Sequence, residues 1–123
     1  MRDQNPESSG LRVLIVEDEY FIAEDLARGF RKAGVEIVGP VASLADAIAL
    51  AELDQLDGAV LDINLSGEMI YPLADTLMEQ AVPIVFVTGY DAFAIPERYG
   101  AIPRCQKPFD ASRVIEALAL RHP

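Results

Sequence analysis

"PIVFVTGYD", residues 83–91, is an apolar run that stops on a hydroxyl followed by a residue with no side chain. Pro83 through Val87 has the composition of a strand buried on both faces. Thr88 and Gly89 then place one polar group at the start of a turn, where active sites are often built. Working outward, "LRVLIVE" (11–17), "VEIVGPVA" (35–42) and "DGAVLDI" (57–63) are further β-branched runs, and "AIPRCQK" (101–107) is a short fifth. Helical patterns separate them. Phe21, Ile22, Leu26 and Phe30 recur at helical spacing in 18–34, with Gly34 placed to end the helix. Ser43 opens "SLADAIALAEL" with Asp46 three residues on, as in a capping box. "EMIYPLADTLMEQA" (68–81) reads as a third helix with Pro72 in its first turn. Asp110 caps a last amphipathic helix through about Leu120.

Strands alternating with helices of this length predict a parallel sheet covered on both faces. The prolines predict its order. Proline lacks an N–H and is confined to edges, strand starts and bulges. Pro40 falls within the second strand and Pro103 within the fifth, whereas Pro83 only begins the fourth. The second and fifth strands are the edges of the order 2-1-3-4-5, a flavodoxin-like doubly wound (βα)5 sandwich. Five strands exclude the six-stranded Rossmann order. One stretch breaks the pattern: Pro96 sits inside "DAFAIPERYG" (91–100), where a helix interior would lose about 3 kcal/mol or more. A short or broken fourth helix, mobile relative to the others, is expected there.

The 123 residues, 51% hydrophobic, suffice for one domain with a substantial core. The apolar runs fall far short of the ~20 residues of a membrane-spanning helix. "MRDQNPESSG" has no apolar segment of a secretory signal and is expected to be a disordered leader, 1–10. The domain itself is placed at 11–121, with no linker to an output domain. The single cysteine, Cys105, rules out an internal disulfide, reads as a small strand hydrophobe and suits a reducing cytoplasm. Twenty acidic against ten basic residues give a net charge of -10. That charge repels nucleic-acid backbones and suits either solubility or a divalent cation site.

The arrangement of the acids separates those two. Ligands of open α/β sheets bind beyond the carboxyl ends of the strands, at the switch in strand order. There the first strand ends in Glu17-Asp18, the third in Asp62, the fourth in Thr88 and the fifth in Lys107. Clustered carboxylates resist ionising together unless a cation sits among them. Hard oxygen ligands suit Mg²⁺ (or Mn²⁺) rather than zinc. Lys107 is a point charge for a phosphoryl oxygen and Thr88 a hydrogen-bond donor to another. Asp62 is then the nucleophile, forming an acyl phosphate. Taken one at a time, Asp62 reads equally as a carboxylate capping the next helix, Glu17 as a solvated loop acid, Asp18 as the N-cap of the first helix, and Thr88 as a turn residue.

An acidic pair after the first strand, "LDINL" at the third, "VTG" at the fourth and "KPF" after the fifth resemble a response-regulator receiver domain. The resemblance covers about 11 to 121. It implies Asp62 as phosphoacceptor; Glu17, Asp18, Asp62 and the Asn64 backbone carbonyl as Mg²⁺ ligands; Thr88 and Lys107 on the phosphoryl group; and a cis Lys107–Pro108 bond. Tyr90, two residues past Thr88, stands where the family modulates access of water to the phosphate. Two departures stand out: Leu65-Ser66 replaces the family's Met-Pro and reshapes "NLSGE", and Arg104 replaces the aromatic that swings inward on activation. "PIVFVTGY" resembles the FAT GUY subgroup of single-domain regulators, which lacks that aromatic and works with histidine kinases in stress responses.

The resemblance implies a stand-alone receiver that takes a phosphoryl group from a sensor histidine kinase or histidine phosphotransfer protein. It would catalyse only its own phosphorylation and dephosphorylation, signalling through a downstream protein partner as a monomer or weak dimer. A phosphate sink for a shared kinase is the nearest alternative. A small aspartate-nucleophile phosphatase is disfavoured because Asn64 cannot serve as its general acid. A flavin module would want a Ser/Thr/Gly-rich loop where "VEDEYF" stands. A degenerate receiver ranks low because the acceptor-site residues are all present. His122, the only histidine, lies in the tail and reads as idle, against a histidine-phosphorylated donor.

Overall fold

The computed structural model describes residues 10–53, 55–89 and 95–118. Its elements are β1 (Arg12–Val16), α1 (Tyr20–Lys32), β2 (Glu36–Val41), α2 (Leu44–Leu53), β3 (Gly58–Asp62), β4 (Asn64–Leu65), β5 (Glu68–Met69), α3 (Tyr71–Glu79), β6 (Ile84–Thr88), β7 (Arg104–Gln106) and α4 (Ala111–Leu118). Five strands form a parallel sheet in the order β2-β1-β3-β6-β7. Counting sheet strands alone, this is the expected 2-1-3-4-5 order. β2 is indeed an edge, and Pro40 lies where its pairing with β1 shifts register. Gly39 beside it has φ +96, and a Cβ there would meet the Val41 nitrogen at 2.9 Å. Only glycine fits that bulge. The Gly39–Pro40 bond is cis, and so is Lys107–Pro108, as expected. Pro103 lies just ahead of β7 rather than within it, its carbonyl accepting from the Phe86 amide at 2.9 Å.

Alternation along the strands builds two cores. Leu14, Val16, Leu61 and Phe86 join Leu73, Leu77 and Tyr99 on the α2–α3 face. Val13, Ile15, Val60 and Val85 join Leu26, Phe30 and Val114 on the α1–α4 face. With every residue of β3 and β6 buried, the central strands are continuous apolar runs because both faces are covered. Gly34, φ 84, ends α1 as expected: its amide bonds Arg31 O and the Val35 amide bonds Phe30 O, the Schellman pattern. Ser43 Oγ accepts from the Asp46 amide at 3.1 Å, the anticipated cap of α2.

The third helix begins at Tyr71, three residues later than expected. Glu68 and Met69 pair instead with Leu65 and Asn64 in a two-residue hairpin. Ser66 and Gly67 at its tip have φ 54 and 96, the left-handed pair a tight hairpin requires. Between β6 and β7 the described residues hold a 3-10 turn, Glu97–Tyr99, and no α-helix, while residues 90–94 of the expected fourth helix region lie outside the described residues. Pro96 precedes it in extended conformation, in keeping with a broken fourth helix. Tyr99 is fully buried; it stacks on Tyr71 with centroids 4.8 Å apart, and its hydroxyl donates to Asp75 Oδ1 at 2.6 Å. Nothing in the sequence pattern announced that anchor onto α3.

Candidate functional site

Parallel pairing sets Val16 beside Leu61, Asp62 beside Val87, and Thr88 beside Gln106. The carboxyl ends of four strands therefore finish at one level, and the residues that follow converge. The Glu17 amide donates to Val41 O at 3.0 Å and the Lys107 amide to Thr88 O at 2.8 Å, so both turns are tied to neighbouring strands. Above them opens a cavity of about 560 Å³ lined by Asp18, Asp62, Thr88 and Lys107, with Met69 and Tyr71 on its apolar wall.

Glu17, Asp62 and Thr88 are buried at 2–3% exposure, which polar residues accept only with partners. The Lys107 ammonium partners the two buried acids, donating to Glu17 Oε2 at 3.1 Å and Asp62 Oδ2 at 3.2 Å, and it also donates to Glu19 Oε1 at 2.6 Å. The Glu19 amide adds a bond to Glu17 Oε2 at 2.9 Å, and the Asn64 amide one to Asp62 Oδ1 at 3.2 Å. Glu17 is thus a buried acid and not a solvated one. The N-cap of α1 is Glu19 rather than Asp18, and Glu19 makes no capping bond of its own; its carboxylate is engaged by Lys107. The Thr88 hydroxyl reaches the cavity wall but donates to the Gly89 carbonyl at 2.8 Å.

One oxygen from each of Glu17, Asp18 and Asp62 lies within 4.8 Å of the others. Burial pushes the Glu17 carboxyl up to about 8; the Glu19 amide and Lys107 oppose that rise and the Asp62 charge adds to it. Burial raises Asp62 as well, against Glu17 and Lys107. Asp18 moves the other way: its burial is outweighed by hydrogen bonds from Ser66 and with Asp62, which hold it low. For Lys107, burial is outweighed by Glu19, Asp62 and Glu17, so its ammonium is held above the usual range. Glu17 Oε1 is buried without a hydrogen-bond partner. An orphaned buried carboxylate oxygen beside two more carboxylates is a donor set for a hard divalent cation, and Mg²⁺ or Mn²⁺ fits it.

The structure brings Glu17, Asp18, Asp62, Thr88 and Lys107 together, as the strand-end argument requires, with Asn64, a ligand that the family resemblance implies, beside them. Arg104 sits outside this group, exposed on β7, although its charge bears on the half-buried Tyr71 of the cavity wall. Tyr90 and His122, and residues 1–9 of the expected leader, lie outside the described residues. Cys105 is half-buried against the α1–α4 core and burial raises its thiol, in keeping with an inert strand residue. Sequence reasoning missed Glu19 and Ser66. The Ser66-Gly67 pair was a readable hairpin signal. Glu19 carried none beyond its place next to the acidic pair.

The family model of the response regulator receiver domain matches residues 13–119. The chain is 35% identical over 113 residues to the "Transcriptional regulatory protein PdtaR" of Mycobacterium tuberculosis, covering 89% of this chain and 55% of that protein. It is 33% identical over 112 residues to the "Sensory transduction protein LytT" of Bacillus anthracis, covering 88% and 46%. The chain thus spans about half the length of the curated relatives it matches. Among solved structures it resembles SdrG from Sphingomonas melonis Fr1, with a TM-score of 0.80 at 38% identity, covering 91% of this chain and 96% of that one. Against the BeF3-activated conformation of SdrG the TM-score is 0.72, at 38% identity and covering 88% and 92%.

Proposed function

The chain belongs to the response-regulator receiver family of two-component signalling, and from that membership we propose that Asp62 is its phosphoacceptor, fed by a histidine kinase or histidine phosphotransfer protein. The observation that carries this reading is the buried Asp62 carboxylate, 3.2 Å from the Lys107 ammonium and beside the orphaned Glu17 oxygen. An Asp62 carboxylate oxygen attacks phosphorus while the donor's N–P bond breaks, its electron pair remaining on the imidazole nitrogen. Glu17, Asp18 and Asp62, with the Asn64 backbone carbonyl, would hold Mg²⁺. When bound, the cation supplies positive charge to the carboxylates and to the phosphoryl oxygens. Lys107 leaves part of its carboxylate clamp to neutralise one phosphoryl oxygen. Thr88 turns its hydroxyl from the Gly89 carbonyl to another. These groups position the reactants and stabilise charge.

Output follows by changed binding of a protein partner, a shift between two arrangements of the domain. With Arg104 where the family's switch aromatic stands, the stack of half-buried Tyr71 on buried Tyr99 is the aromatic element next to the acceptor pocket. NMR spectra recorded with beryllofluoride and Mg²⁺ test this reading. Shifts centred on Asp62, Thr88 and Lys107 are expected. Unchanged spectra would count against a phosphorylation switch and favour a constitutive binding module.

A further inference from the structure

Ser66 stands at the tip of the β4–β5 hairpin, in the left-handed region at φ 54. Its hydroxyl donates to Asp18 Oδ2 at 2.6 Å, joining two segments 48 residues apart in sequence. That length is typical of a hydroxyl bonded to an ionised carboxylate. The arm that carries the hydroxyl is fixed. The Gly67 amide donates to Asn64 Oδ1 at 2.6 Å, the Ile70 amide to Ile63 O at 2.9 Å, and Leu65 is buried in the core. Glu17 and Asp62 are each held by Lys107 and a backbone amide. Lys107 makes no such bond to Asp18, the more exposed of the three acids.

We infer that Ser66 is a positioning residue of the cation site, orienting the Asp18 carboxylate toward the ion from a rigid hairpin. The inference rests on the reading of Glu17, Asp18 and Asp62 as cation ligands and deepens it. A carboxylate oxygen keeps a lone-pair site after accepting one hydrogen bond, so the contact orients Asp18 without blocking it. Hydrogen bonds to ligating side chains reduce the reorganisation needed on metal binding, and their loss typically weakens affinity by about 10–100-fold.

Two substitutions separate this role from a structural one. Ser66→Gly removes the hydroxyl but suits the left-handed turn; Ser66→Thr keeps the hydroxyl but strains it, because a β-branched residue resists positive φ. Titration of Mg²⁺ into each protein, followed by NMR, is expected to give roughly tenfold weaker binding for Ser66→Gly. Ser66→Thr is expected to bind close to wild type while unfolding at lower urea. Wild-type affinity in Ser66→Gly, or weaker binding in Ser66→Thr than in Ser66→Gly, would overturn the inference alone. A wild-type protein that takes up no Mg²⁺ would overturn both the inference and the cation site beneath it.

Discussion

The Lys107 ammonium is closer to Glu19, at 2.6 Å, than to either buried acid, Glu17 at 3.1 Å or Asp62 at 3.2 Å. The shortest bond of the clamp is therefore made by a residue with no place in the acceptor chemistry. The Glu19 side chain is 59% exposed, so this pair is screened by water and contributes about 0–1 kcal/mol to stability. Its effect falls on Lys107, which under the proposed function must loosen that contact to reach a phosphoryl oxygen. Glu19→Gln is expected to leave the urea midpoint almost unchanged and to speed phosphorylation from a small donor. Time-resolved intact mass checks the rate; a rate at or below wild type would show that Glu19 does not restrain the lysine.

The Glu17 carboxyl, raised from 4.5 to about 8, makes the metal-free protein sensitive to pH. Below its ordinary pKa it is neutral in the folded and unfolded chains alike, and its contribution to stability is fully present. As pH rises toward about 8, the unfolded chain has released a proton that the folded chain still holds, so that contribution is lost. Asp62, also raised, acts in the same sense. Asp18 and Asp75 are lowered, so their contributions are lost only on acidification below this window. Urea unfolding without metal is expected to show a lower midpoint near pH 8 than at mildly acid pH. Added Mg²⁺ should raise the midpoint most at the alkaline end. A flat or rising profile would contradict the burial assigned to Glu17.

Tyr99 ties the 3-10 turn to α3 through its hydroxyl bond to Asp75, while Arg98 forks onto the same carboxylate at 3.2 Å. Tyr99→Phe keeps the stacked ring and removes the part-buried hydroxyl bond to Asp75, a loss of about 0.5–1.5 kcal/mol. Its Mg²⁺ affinity should equal that of wild type, because Asp75 lies outside the cation cluster. Equilibrium unfolding and a Mg²⁺ titration on the same samples check both halves.

The fold was readable because its determinants are local. Buried central strands are apolar runs, and Pro40 marks the β2 edge in advance because a missing N–H is a property of the residue itself. Pro103 precedes β7 as Pro83 precedes the internal β6, so its position does not mark an edge. The candidate site was readable for a related reason: parallel register carries Glu17, Asp62, Thr88 and Lys107 to one level once the strand order is known. What stayed hidden depends on partners distant in sequence. Glu19 carried no signal of its own until Lys107, 88 residues away, was placed against it. Ser66-Gly67 signalled a turn, but the role of the Ser66 hydroxyl depends on Asp18, 48 residues away. Tyr99, in a segment broken by Pro96, has no repeat to assign it to the core. Its burial is decided by Tyr71, Phe86 and Asp75, which come from other elements.

The central claim is that Asp62 accepts a phosphoryl group with the help of Mg²⁺. The most direct test is the intact mass of the protein after incubation with acetyl phosphate, with and without Mg²⁺, for wild type and Asp62→Asn. The expected result is a gain of a single phosphoryl group that requires Mg²⁺ and is absent from Asp62→Asn. A gain that persists in Asp62→Asn, or that does not depend on Mg²⁺, would contradict the account.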